Sequence, residues 1–318
     1  GFLALTANTT GTVNVAVGAN ALDANTTASS GVAIGFNALT SNTTGGANIA
    51  IGKDALEANT TGATNVAVGY LALEANTTAS YNVAIGAEAL NDNTTGTRNV
   101  AVGYAALDAA TTVNDNTAVG HDALTANTSG FKNTAIGSGA GEGNTTGDNL
   151  VAVGFNAAEN NTTADDNTAV GSQALFTNTT GAKNTAIGTG ALYANTTAAN
   201  NTAVGVSSLT ANTTGANNTA VGFSSGVSLT TGANTVAIGA YAAQLLTTGS
   251  NNTAVGNATL GATGSTAVTG SDNTAIGNSA LLAITTGANN VAIGSAALDA
   301  NTTGGDNVAI GVGALGAA

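Results

Sequence analysis

The side chains that could do chemistry in this chain are few and widely spaced. His121 is the only histidine and cysteine is absent, so no nucleophile–base pair of the cysteine-protease type can form. Glycoside-cleaving sites instead need carboxylates facing each other across a groove. Here the acids fall at similar places in successive repeats and predict a dispersed acidic strip: Asp23, Glu57, Glu74, Asp92, Asp108 and Asp299. We therefore expect a protein that is not an enzyme.

Composition also argues against several classes of ligand. Calcium-binding repeats of the toxin type need Gly-Gly-x-Gly-x-Asp in each turn, and that pattern is missing. The net charge is -13, whereas nucleic acids and anionic membranes bind clustered Lys and Arg. No apolar run approaches the roughly 18 residues of a membrane span. We expect no metal, no cofactor, no nucleic-acid partner and no membrane insertion by this segment.

These residues are positioned by one short unit copied along the chain. The copies begin at Asn14 and recur every 17 residues to Asn252, then skip four extra residues to Asn273 and continue to Asn307. Numbered from position one, a copy reads N-[TV]-A-[VI]-G-x-x-A-L-x-x-N-T-T-[GA]-x-x. Self-similarity at a fixed short period indicates stacked coils, so function is expected on a repeated surface.

Seventeen residues are too few for a helix pair and suit two short strands with two corners. We therefore predict an all-β fold: a parallel β-solenoid of about 18 coils, forming a single domain over 1–318. The coil at 257–272 carries the four-residue insertion, which should bulge as a loop, either as a specific contact or as a neutral surface feature. Gly1 and Ala318 both fall within a coil, so we expect the chain to be a segment of a longer protein or fibre.

The first strand of each coil is Ala at position three, Val or Ile at position four and Gly at position five. Because neighbouring strand residues face opposite ways, we expect the branched residues to fill the interior and the alanines to face outward. Uniformly small residues favour close approach of another chain, although alanine also tolerates solvent. The predicted interface comprises Ala16, Ala33, Ala50, Ala67, Ala84, Ala101 and Ala118.

The second predicted strand carries Leu at position nine and ends at the Asn-Thr-Thr corner. Asparagine at position twelve can bond to its equivalents above and below, which predicts a ladder: Asn25, Asn42, Asn59, Asn76 and Asn93. Asn-Thr-Thr is also an N-glycosylation sequon. Leu229, Leu246 and Ile284 replace this asparagine, and two of those coils lack the usual leucine. An apolar residue appearing where core volume is lost favours an inward-facing ladder.

The variable position six carries aromatic side chains at one corner. They are Phe36, Tyr70, Tyr104, Phe155 and Phe223. Such rings can stack on sugars, cover the edge of the solenoid or contact a neighbouring molecule. Ice binding through threonine is a further possibility, but Thr-Thr lies in a corner here and position two mixes Thr with Val, so the alternating threonines of a regular array are missing.

The phrases Asn82-Val83-Ala84-Ile85-Gly86 and Asn290-Val291-Ala292-Ile293-Gly294 resemble the head repeats of trimeric autotransporter adhesins. Similar repeats occur in phage fibre-like proteins. The resemblance covers every coil and implies a left-handed parallel β-roll, three chains side by side, and adhesion outside a bacterial cell. The repeat differs from those heads because the Asn-Thr-Thr-Gly corner makes it longer.

Together these features predict a non-enzymatic structural protein at the cell surface or outside the cell. It would form a fibre or adhesive rod by self-association into a homo-oligomer or filament. The alternative is a repeated ligand-binding surface, either a glycan-binding adhesin head or an ice-binding solenoid. The expected partners are other copies of the chain and a host or environmental glycan surface.

Overall fold

The computed structural model describes residues 1–261 and 266–316. The chain divides into two compact units: Gly1–Asn156 with Asn161–Thr163, and Ala157–Asn160 with Ala164–Ala318. In each unit the described residues form a parallel β-solenoid with about 17 residues per turn, and no described residue is helical. The all-β solenoid prediction is confirmed. The organisation into one domain stays a prediction.

Each coil contributes one three-residue strand. In the first unit these are β1 (Val15–Val17), β2 (Val32–Ile34), β3 (Ile49–Ile51), β4 (Val66–Val68), β5 (Val83–Ile85), β6 (Val100–Val102), β7 (Thr117–Val119), β8 (Thr134–Ile136) and β9 (Val151–Val153). In the second they are β10 (Thr168–Val170), β11 (Thr185–Ile187), β12 (Thr202–Val204), β13 (Thr219–Val221), β14 (Val236–Ile238), β15 (Thr253–Val255), β16 (Thr274–Ile276), β17 (Val291–Ile293) and β18 (Val308–Ile310).

Strands that follow one another within a unit pair in parallel and in register. Ala50 of β3 lies beside Ala67 of β4, and Ala186 of β11 lies beside Ala203 of β12. The register follows from the fixed period, because each coil returns the chain to the same place one strand further along. Identical side chains therefore form continuous rows along each unit.

The prediction of a second strand in each coil is wrong. The leucine segment is a series of turns, because Asn20 and Leu22 have φ angles of 60° and 56°, in the left-handed region. It still stacks through the backbone: the Leu22 N–H donates to the Ala38 carbonyl at 3.0 Å and the Ala24 N–H to the Thr40 carbonyl at 3.0 Å. The leucines lie inside the coil as predicted, but on a curled backbone that sequence alternation does not reveal.

The predicted orientation of the first strand is also wrong. The alanines at position three face the interior, and the branched residues at position four face outward. Of the predicted interface residues, Ala33, Ala50, Ala67, Ala84, Ala101 and Ala118 are fully buried within the chain, and Ala16 in the first complete coil is half-buried. The six fully buried alanines offer no surface to another chain.

Interior space explains the inversion. A Cβ added at Gly141, which replaces the leucine at position nine, would lie 3.8 Å from the Ala135 Cβ. The leucine and the alanine thus meet across a narrow core that the leucine side chain fills. A Val or Ile at position three would overfill this space, so the branched side chains occupy the opposite face.

Glycine at position five is required by a close approach between coils. Gly52 has a φ of 141°, and a Cβ added there would lie 2.2 Å from the carbonyl oxygen of Gly69 in the next coil. Any side chain would therefore clash with backbone that cannot move without separating the coils.

The insertion is only partly described, because residues 262–265 of the 257–272 coil lie outside the described residues. Only that part of the predicted loop falls outside the described residues; 266–270 are described. Among these, Val268 is fully buried and forms a parallel bridge with Leu246. Val268 thus continues the apolar substitution of the inner corner that Leu229 and Leu246 begin.

Candidate interaction surfaces

The outward side of the strands presents two rows of branched side chains, at positions two and four, which we call the branched face. Side chains at position four are partly accessible: Ile51 is 38% exposed, Ile85 40% and Ile136 42%, whereas Val68 and Val102 are half-buried. Apolar side chains thus cover the surface on which the sequence analysis expected alanine.

The composition of the branched face differs between the units. In β1 to β6, position two is always Val or Ile, so both rows are apolar. In β10 to β13, position two is always Thr, so a hydroxyl row runs beside the Val/Ile row. The first unit therefore has the more hydrophobic face.

The face is large for an exposed apolar surface. Three strand residues span about 10 Å and nine strands span about 43 Å, which gives a footprint of about 400 Å² in each unit. Soluble monomers rarely expose contiguous apolar patches above a few hundred Å², and larger ones mark interaction sites. The branched face of the first unit is at that limit.

The aromatic residues at position six are on the surface, as the sequence analysis expected. Phe36, Tyr70, Tyr104, Phe155 and Phe223 are between 46% and 56% exposed. Their contact with a sugar or a partner stays a prediction.

Three of these rings have charged or aromatic neighbours, and Phe223 packs edge-to-face on Tyr241 with ring centres 5.3 Å apart. The Lys53 ammonium lies 5.1 Å from the centre of the Tyr70 ring, and His121 stacks on Tyr104 with ring centres 5.2 Å apart. The Lys53 Nζ also donates to Asp54 at 2.6 Å. These contacts hold the rings against the corner.

Acidic residues gather beside this corner in the first unit. Burial, followed by the carboxylates of Asp92, Glu88 and Asp122, raises the pKa of Asp108 to about 6. Burial also raises the pKa of Glu57, with Asp54 contributing next. The predicted acidic strip thus includes position-seven acids, which the sequence analysis did not place with it. Among the described residues no group of three or more His, Asp or Glu side chains is arranged to hold a metal ion.

The predicted asparagine ladder is confirmed. The Nδ2 of Asn59 donates to Asn42 Oδ1 at 2.8 Å and to the Gly62 carbonyl at 3.0 Å. The Nδ2 of Asn76 donates to Asn59 Oδ1 at 2.8 Å. Asn59 and Asn76 thus bond to the coils on both sides and close their own corners, so their buried amides are hydrogen-bonded.

The ladder stops where the repeat changes. The next coils carry Ala110 after Asn93 and Leu229 after Asn212, and the Oδ1 atoms of these two asparagines are buried without a hydrogen-bond partner. Buried unpaired acceptors cost about 1–3 kcal/mol each. The apolar replacements Leu229 and Leu246 are fully buried, as the sequence analysis predicted.

Burial also bears on the sequons. Asn25, Asn59 and Asn76, each followed by Thr-Thr, have no exposed surface. Their amide nitrogens are engaged inside the coil, so a glycan could not be attached without opening the corner. The threonine two residues later is exposed in each case.

Asparagine at position one forms a second ladder. The Asn65 N–H donates to Asn48 Oδ1 at 2.9 Å, and the Asn65 Nδ2 donates to the Ala79 carbonyl at 2.8 Å. The Asn82 N–H in turn donates to Asn65 Oδ1 at 3.0 Å. This ladder fixes the start of each strand.

Sequence reasoning missed two surfaces, the branched face and a polar groove at Phe131. Strand alternation defines two faces but does not say which face is inside, so the sequence carried no decisive signal for the branched face. The second was signalled by charged and aromatic residues at positions sixteen and seventeen, where most coils carry small or amide residues.

No helix long and apolar enough to cross a membrane occurs among the residues that the structure describes. Comparison with known proteins finds no matching protein-family model and no matching curated protein.

Proposed function

We propose that this chain is a non-enzymatic extracellular structural protein whose copies associate side by side through the branched face. Stacked coils would supply a stiff scaffold, and the branched face would join scaffolds into an oligomer or fibre. The observation that carries the proposal is the exposure of Val and Ile at position four in every complete coil, at least part of each side chain being accessible.

Position four is apolar in every coil although its side chains are partly exposed to solvent. The exposed corner position fourteen is Thr or Ser in nearly every coil, which shows that this fold accepts polar residues on its surface. Position four, by contrast, is never polar. Covering the branched face would remove apolar area from water at about 25 cal/mol per Å².

The shape of the branched face suits a second copy of the same chain. Its rows repeat with the strand spacing, so two such faces offer matching ridges along their whole length. Two footprints of about 400 Å² bury about 800 Å² when one unit pairs with its equivalent, which is below the area of a stable interface. Pairing of the other units of the two chains would add a similar area. The resemblance to adhesin heads supports three chains and display outside the cell.

The test is the mass of the chain in solution. We expect wild-type protein to have a multiple of the 30.0 kDa chain mass by light scattering. The double variant Ile51→Lys with Ile85→Lys places two charges on the branched face, on strands that are not neighbours. It should dissociate while its circular dichroism remains that of the folded coil.

A matched control carries the same charges on another surface of the same coils. Thr61→Lys with Thr95→Lys alters exposed corner residues whose hydroxyls make no side-chain hydrogen bond among the described residues. This control should keep the wild-type mass. A wild-type chain that is monomeric at high concentration, or a control that dissociates equally, would refute the proposal.

Ice binding is a second candidate because of the threonine row in the second unit. Thr168, Thr185, Thr202 and Thr219 lie in register at position two, and none of their hydroxyls bonds to another described residue. Thr and Val/Ile at positions two and four share the outward face, so a regular hydroxyl array exists despite the absence of Thr-x-Thr. Thermal hysteresis of wild-type protein, abolished by Thr185→Lys with Thr219→Lys, would favour this function over association.

A further inference from the structure

We propose that a groove on the first unit binds a neutral pyranose sugar. The groove lies at the corner that precedes the strands β7 to β9 and has a volume of about 250 Å³. Its lining residues are Asn114, Asp115, Phe131, Lys132, Asp148 and Asn149. The site is separate from the branched face, so it would add recognition to a structural scaffold.

An aromatic ring provides the apolar surface of the groove. Phe131 is 40% exposed, although phenylalanine has no polar atom that requires water. Its backbone N–H donates to Asp148 Oδ1 at 2.7 Å, and the Asn149 N–H donates to the Phe131 carbonyl at 3.1 Å. The backbone of Phe131 is thus held from the neighbouring coil, and the ring is presented from a fixed position.

Polar groups surround the ring in fixed orientations. Arg98 forms a bidentate pair with Asp115, with its Nε 2.6 Å from Oδ1 and its Nη2 3.0 Å from Oδ2. Asn114 Oδ1 accepts from the Thr97 N–H at 2.7 Å and from the Thr97 hydroxyl at 2.9 Å. The Asn114 Nδ2 donates to no described residue and remains available for a ligand.

The charges of the lining residues balance only with Arg98, which lies outside the lining and pairs with Asp115. Arg98 offsets Asp115, whose pKa its hydrogen bond lowers, and Lys132 adds a second positive charge near that carboxylate. Asp148 supplies the second negative charge. Two cations and two carboxylates give no net attraction for a charged ligand, whereas they offer both donors and acceptors to a neutral one.

A pyranose matches this arrangement chemically. One face of the ring presents C–H groups that can stack on Phe131, and its hydroxyls both donate and accept. The volume of the groove, about 250 Å³, lies just below the range of about 300–1,000 Å³ that is typical of small-molecule sites. A single sugar ring with its first-shell water is the ligand class that fits.

The ring of the groove, Phe131, lies at position sixteen of the repeat, where several other coils carry alanine. At the position of Phe131, the later coils carry Ala182, Ala199, Ala216 and Ala233. These coils fold with the same strand and turn, so stacking needs no aromatic ring or carboxylate there. The Phe131 ring is therefore not required for stacking, whereas the Asp148 carboxylate holds the backbone of the preceding coil.

Saturation-transfer-difference NMR on the full chain tests the proposal. The probes are free glucose, galactose, mannose and N-acetylglucosamine, with glucuronic acid and sialic acid as acidic comparisons. At least one neutral sugar should receive saturation through its ring C–H protons. Phe131→Ala should weaken its binding about tenfold or more, because stacking and its buried area are lost.

Phe155→Ala is the comparison variant, because it removes a more exposed ring from another corner of the same unit and so separates the groove from the position-six rings. Binding should be kept in that variant. Absence of saturation for every neutral sugar, binding of acidic sugars alone, or equal loss in both variants would overturn the proposal. Light scattering on the same samples separates this outcome from failure of association, since neither phenylalanine lies on the branched face.

Discussion

The asparagine ladder allows a comparison between two buried residues that differ in one hydrogen bond. Asn59 and Asn93 occupy the same position in their coils and are both fully buried. Asn59 donates to Asn42 and Gly62 and accepts from Asn76. Asn93 makes only the two donated bonds, to Asn76 and Gly96, because Ala110 ends the ladder beyond it.

Substitution by alanine should therefore cost more at Asn59 than at Asn93. Asn59→Ala removes three hydrogen bonds worth about 1 kcal/mol each and leaves Asn42 Oδ1 buried without a donor. Asn93→Ala removes two hydrogen bonds and leaves Asn76 Oδ1 without a donor. It also removes Asn93 Oδ1, which was already unpaired, so the number of unpaired buried acceptors does not change. The cavity left by the amide is common to both. We expect a difference of about 2 kcal/mol in the free energy of unfolding.

Urea denaturation followed by circular dichroism measures this difference. Hydrogen exchange of the Thr60 and Thr94 amides, which donate across to Thr77 and Thr111, places the loss at the altered corner. Equal destabilisation in the two variants, or a larger loss at Asn93, would mean that ladder bonds do not stabilise the stack. The contribution of position twelve would then be packing alone.

Three further perturbations test the core, the coil contact and the acidic corner. Gly69→Ala should destabilise by about 3 kcal/mol or more, because a Cβ there lies 2.3 Å from the Gly86 carbonyl. Gly190→Ala meets no atom within 4 Å and should cost only the backbone strain of its φ of 63°, about 1 kcal/mol. Ala84→Leu should overpack the narrow core and lower the free energy of unfolding by about 1–3 kcal/mol, which urea denaturation measures as a lower midpoint. The raised pKa of Asp108, about 6, means that the folded state holds its proton more tightly than the unfolded state, so stability should fall as pH rises from about 4 to 6. The fall should be about 1–2 kcal/mol after solvent screening, and Asp108→Asn should remove it in thermal melts across this pH range. If the variant keeps the wild-type pH profile, Asp108 is not the group responsible.

Several features of the fold could be predicted because they depend on local chemistry and the period. Asparagine at position twelve was predicted to face inward, since Leu229 and Leu246 replace it in coils that have lost the core leucine. A residue 17 positions away is always a spatial neighbour in a regular coil, and Arg98 pairs with Asp115 at that separation. The sequence shows that position five is always glycine but not why. The reason is that the backbone of the next coil leaves no room for a Cβ, and this contact exists only in the stacked structure.

The candidate surfaces were less accessible to sequence reasoning. Strand alternation placed Ala50 and Ile51 on opposite faces but did not say which face was inside. The larger side chain was assigned to the core on general hydrophobicity, and the structure reverses that assignment. The groove at Phe131 depends on Asp148 from one neighbouring coil and Asn114 from the other, so its shape exists only after stacking.

The sequence by itself determined the period, the in-register stacking of like residues and the inward asparagine corner, because each follows from repetition and from the need to pair buried polar groups. The tertiary structure decided which side of the strand is buried. That choice depends on the width of the coil, which the left-handed turns at residues such as Leu22 set, and a leucine fills this narrow interior completely. Position three therefore holds alanine, and the branched side chains remain on the surface.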